Sequence, residues 1–138
     1  MSDIVGVLSF ALHASHKIYD VAQTIKHAPA AVQALSMEAS RVSDLLTKML
    51  SAPGNPPAAT LQSTNMDEPL VKGLLKDAER LTAAVTTLLA KATTQNADGT
   101  YKVKKWLWPL HAGEASKLAG KFHAFYMSLT AVYALTTA

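Results

Sequence analysis

Cysteine is missing altogether from this 138-residue chain. Its absence excludes disulfides and thiolate chemistry and fits a reducing compartment. Glycine is sparse, with six residues scattered along the chain. No GxxxxGK or GxGxxG run occurs, so no backbone loop is built to cradle a phosphate. A GxSxG elbow is absent as well. Only four glutamates are present, Glu38, Glu68, Glu79 and Glu114, and none forms a Glu-x-x-His pair. The carboxylate and imidazole set of a bundle di-metal centre is therefore lacking. No apolar run reaches the roughly 18–20 residues that a bilayer span needs. Asp3 stands where a secretory signal would carry positive charge. These absences predict a cytoplasmic protein that is soluble at rest, with no catalytic site, cofactor or metal.

His13, His16 and Asp20 do share a helix face, at steps of three and four. No fourth ligand is visible, so a polar outer face is preferred to a metal site. His111 and His123 read the same way, as surface groups.

What the chain has is apolar residues at helical spacing. They make up 49% of the composition against 17% charged, the balance of a globular domain. The length suits one domain and one core. The first helix is expected over residues 3–26. Ile4, Leu8, Ala11, Ser15, Ile18, Ala22 and Ile25 alternate steps of four and three and line one face. Pro29 opens a second helix, 29–50, striped by Val32, Leu35, Ala39, Val42, Leu46 and Met49. The short connection makes these two helices antiparallel neighbours. Glu38, Arg41, Asp44 and Lys48 read as a solvated face. Ser51–Met66, with three prolines and a glycine, is a loop long enough to be mobile.

A third helix is expected over 67–92, with stripe Leu70, Leu74, Ala78, Leu81, Val85, Leu88 and Ala92. Asn96 and Asp98-Gly99 then mark a turn. The last helix is expected over 106–136, striped by Ala115, Leu118, Phe122, Phe125, Leu129 and Val132. Pro109 either sits in its first turn or kinks an early start near Lys105, with the regular part beginning near Ala112. The economical assembly is all-α, an antiparallel up-down four-helix bundle.

Two stretches exceed what a plain bundle needs. The first is Ile4–Leu12, whose opposite face carries Val5, Val7, Phe10 and Leu12. A helix apolar all round is either buried on every side or meets another apolar phase. Nine residues span only about 14 Å as a helix, enough to wedge into a leaflet and not to cross it. On the second reading, Leu8→Glu abolishes membrane activity and spares the fold. The other stretch is Lys102, Lys104, Lys105, Trp106 and Trp108. Six lysines from Lys91 onward face two acids, so the C-terminal third carries all of the chain's formal excess of +3. Bases beside indoles suit an anionic membrane interface. They also suit single-stranded nucleic acid, the less favoured partner. The plain alternative is a Trp pair capping the core beside solvated lysines.

The segment IYDVAQTIKHAPAAVQALSMEASRVSDLLTKML resembles the second half of helix one and helix two of the HeLo-like N-terminal domains of fungal STAND (NLR-like) and ankyrin-repeat proteins. LLKDAERLTAAVTTLLAK and KKWLWPLHAGEASKLAGKFHAFYMSL resemble the remainder of that domain. The shared features are an Ala-Pro after helix one, leucine spacings and a basic Trp turn, some of which SesA-type domains also carry. The resemblance implies an N-terminal bundle ahead of nucleotide-binding oligomerisation or repeat domains, self-association, and a role in programmed cell death such as heterokaryon incompatibility. HeLo relatives, similar to the bundle of the necroptosis pseudokinase, are thought to permeabilise the plasma membrane through helix one. Carried over, membrane insertion falls on Ile4, Val5, Val7, Leu8, Phe10 and Leu12, and anionic-lipid contact on the Lys/Trp turn. The chain is much shorter than a full HeLo domain, which keeps a non-lytic interaction adaptor as the alternative.

Overall fold

The computed structural model describes residues 4–24, 30–51, 56–58, 69–95, 101–103 and 112–137. Four long helices account for most of them: α1 (Ile4–Gln23), α2 (Ala30–Ser51), α3 (Pro69–Ala92) and α4 (Ala112–Thr137). Their inward stripes build a single hydrophobic core. The all-α four-helix bundle expected from the spacing is what the chain forms.

The helices form a ring in the order α1, α2, α4, α3. Sequence neighbours α1 and α2 pack together, as do α3 and α4, while α2 and α3 face each other across a diagonal. The connection after α2 therefore carries the chain across the bundle. Part of it is fixed: Ala58 is fully buried in the core, behind half-buried Pro56 and Pro57.

The stripes of α1, α2 and α4 match expectation wherever side chains are described. Ile4, Leu8, Ala11, Ser15, Ile18 and Ala22 are all buried. So are all six stripe positions of α2 and all six of α4. α3 differs at its start. Leu70 is 38% exposed and Val71 takes the core position instead. At 3.6 residues per turn Leu70 lies about 80° from the stripe centre at Ala78, whereas Val71 lies about 20° from it.

Two of the three buried serines, Ser15 and Ser36, have hydrogen-bond partners. The buried Ser15 hydroxyl donates to Ala11 O at 2.7 Å, returning to its own helix. Gln23 Nε2 donates to Ser36 Oγ at 2.8 Å, tying the end of α1 to α2. A tight turn closes α1, with Thr24 N and Oγ1 both donating to Val21 O. The expected extension to residue 26 lies outside the described residues, as do Ile25, Asp67, Glu68 and residues 104–111.

Between α3 and α4 the chain does more than turn. β1 (Thr93–Gln95) pairs antiparallel with β2 (Tyr101–Val103), with Thr93 opposite Val103 and Gln95 opposite Tyr101. Thr, Tyr and Val are good strand formers, and the expected Asn96 and Asp98-Gly99 turn falls between the two strands.

Candidate functional site

The structure divides the six helix-one residues into three groups. Ile4 and Leu8 are fully buried in the core. Val7 and Leu12 are half-buried at its edges. Val5 is at the threshold of exposure and Phe10 is 69% exposed. The expectation that Leu8→Glu would spare the fold is corrected here: Leu8 belongs to the inward stripe, and a carboxylate there has no solvent to reach. Phe10 lies about 120° from that stripe's centre, so the same helical geometry that buries Leu8 turns Phe10 outward.

Apart from Val5 and the partly exposed ring of Tyr19, the rest of the outer face of α1 is largely polar. Ser9, His13, His16 and Asp20 are exposed. Among the described residues no three His, Asp or Glu side chains converge as a metal site would require. No helix among them is long and apolar enough to cross a membrane.

Of the lysine and tryptophan turn, only Lys102 falls within the described residues, in β2 opposite Thr94. Lys104, Lys105, Trp106 and Trp108 lie outside them, and so does His111.

Glu38 departs from the solvated face expected of it. Its side chain is only 15% exposed, at the flank where α2 meets α4. Arg41 Nη1 donates to one carboxylate oxygen at 3.3 Å. The other oxygen is sealed from solvent without a hydrogen bond and lies 3.5 Å from His123 Nδ1. That contact is an ion pair only while the imidazole carries its second proton. His123 was legible as a surface histidine. Its meeting with Glu38 across two helices was not.

A second surface feature had no forerunner in the sequence reading. An open trough runs between α3 and α4, with two continuous cavities of about 500 and 300 Å³. Both are lined by Ala84, Thr87 and Lys121. Its only sequence signal is the run of small residues on the outward side of α3. Compared with protein-family models, with curated proteins and with solved structures, the chain found no match.

Proposed function

We propose that this bundle is the N-terminal signalling and effector domain of a fungal NLR-like receptor, and that it targets anionic membranes through α1 after oligomerisation. The observation that supports this reading is Phe10, a large apolar side chain left in water on a helix whose other face is committed to the core. Burying such a ring in a membrane interface contributes about 1.5–3 kcal/mol. Each lysine near an anionic surface adds about 1 kcal/mol. Phe10 alone thus falls short of millimolar binding as a single copy, which takes roughly 4 kcal/mol. Assembly supplies the missing affinity, because linked copies bind with avidity.

Permeabilisation asks more. Ile4 and Leu8 must leave the core, and the half-buried Val7 and Leu12 must leave its edge. Full burial of Ile4 and Leu8 is worth about 1.5–3 kcal/mol each, and a bilayer interior returns a comparable apolar environment. Gly6 lowers the helix's own stability by up to about 1 kcal/mol relative to alanine. Release is then an exchange of one greasy phase for another, triggered by assembly.

Dye release from anionic vesicles, with neutral vesicles as control, tests the reading. The chain is expected to leak anionic vesicles once oligomerised. Phe10→Glu is expected to remove most of that leakage at unchanged helicity. No leakage from the cross-linked, folded chain would overturn the membrane role.

The adaptor reading has its own support in the full burial of Ile4 and Leu8. On it, the bundle transmits assembly by contact with other bundles or downstream domains and never meets lipid. A chain that self-associates and fails to float with vesicles fits the adaptor. A strict monomer that floats eliminates it.

A further inference from the structure

The trough between α3 and α4 has an apolar floor and a cationic rim. Leu81 and Phe125 form the floor of the larger cavity, and Leu88 and Leu118 that of the smaller. Above the floor the walls are low: Ala83, Ala84 and Ala124 in the larger cavity, joined by Thr87, whose hydroxyl is turned back to Ala83 O at 3.0 Å. Small walls let another backbone approach closely. The α3 residues lining the trough run from Asp77 to Leu88, about 16 Å along the helix, or three helical turns of a partner.

Charge narrows the occupant. Arg80 lines one end, Lys121 the middle and Lys117 the other end. None of the three has an ion-pair partner among the described residues. Of the two acids lining the trough, Glu114 is held by Lys91 at 3.4 Å, leaving Asp77 at the far end. The cations are therefore spaced along the trough and not gathered at one end. A single-chain lipid carries one anionic head and would need them gathered. A helix with an apolar ridge flanked by carboxylates every turn matches the spacing.

We infer that the α3–α4 trough is a docking groove for an acidic amphipathic helix of a protein partner. Its apolar ridge rests between Ala84 and Ala124, and its carboxylates meet Arg80, Lys117 and Lys121. Helix-in-groove recognition combines anchors of this kind with charge complementarity on the rim. The inference is independent of the membrane reading, which concerns α1.

The test uses the whole chain and a fluorescent designed peptide of three to four helical turns, with a Leu/Ala ridge flanked by Glu. A scrambled peptide of the same composition is the control. The amphipathic peptide is expected to bind at least about tenfold more tightly than the scramble, with amide shifts confined to α3 and α4. Lys121→Glu, an exposed site whose folding is checked by its melting curve, is expected to weaken binding about tenfold. Arg80→Glu with Lys121→Glu is expected to prefer a Lys-flanked version of the peptide. Ala124→Phe, which fills the groove without changing charge, is expected to weaken binding too. Phe10→Glu is expected to leave peptide affinity unchanged, which separates this result from the vesicle assay. Equal affinity for the scramble, shifts on other helices, or binding indifferent to both Lys121→Glu and Ala124→Phe would overturn the inference. Displacement of the peptide by dodecanoate at lower concentration than by unlabelled peptide would assign the trough to a lipid instead.

Discussion

Leu8 and Phe10 stand two positions apart on one helix and meet opposite surroundings. A substitution that introduces charge should therefore have opposite consequences at the two sites. Leu8→Glu places a carboxylate in a fully buried apolar site with no partner, and such uncompensated charge costs about 3–5 kcal/mol. Against a total stability of about 5–15 kcal/mol, that is a large share of what holds the fold together. Urea denaturation should show a lowered midpoint for Leu8→Glu and an unchanged one for Phe10→Glu. Equal midpoints would mean that Leu8 is not held in the core. Ser15 is a contrasting case. It is buried, yet its hydroxyl serves only its own helix through Ala11 O. No other helix depends on that bond, so its loss affects α1 alone.

At the scale of the element, α3 and α4 each carry a glycine mid-helix. Gly73 and Gly120 face open space, with no atom within 4 Å of an added methyl group. Glycine in a helix costs about 0.8–1.0 kcal/mol relative to alanine. Gly73→Ala and Gly120→Ala should therefore each raise stability by about 0.5–1 kcal/mol. Thermal melts of the single and double variants measure this, and the gains should add, because the two sites lie on different helices. A loss at either site would show that a neighbour needs that space. The elements themselves were the most legible part of the chain. Apolar steps of three and four mark all four helices, because a helix in a bundle must bury one stripe and only one. Leu70 lay at the edge of its stripe, about 80° from the centre, and its neighbour Val71 took the core position.

For the whole molecule, the ring order is the consequential fact. The connection from α2 to α3 crosses the diagonal, and Ala58 within it is fully buried. Ala58→Asp should cost about 3–5 kcal/mol, as for any unpaired charge driven into a core. A chemical melt measures it, and a neutral result would mean that the connection sits outside the cooperative unit. The proline-rich composition of 51–66 said nothing of this anchor, because a lone small residue carries no periodic signal; Ser51 itself still belongs to α2, and most of the stretch lies outside the described residues. The groove between α3 and α4 and the Glu38–His123 contact were hidden for a related reason. Each joins residues from helices separated by a connection, and only the docking of those helices brings them together. Sequence alone determined the four long helices, the central stripe of each and the surplus of lysine in the last third, since those follow from local periodicity and composition; flanking core positions such as Val21, Leu75 and Ala119 did not stand out. Which helices became neighbours, which half of the first apolar stretch faces water, and where cations line an apolar floor were decided by tertiary packing. A stripe dictates that a face be buried, and the shape of the ring dictates against what.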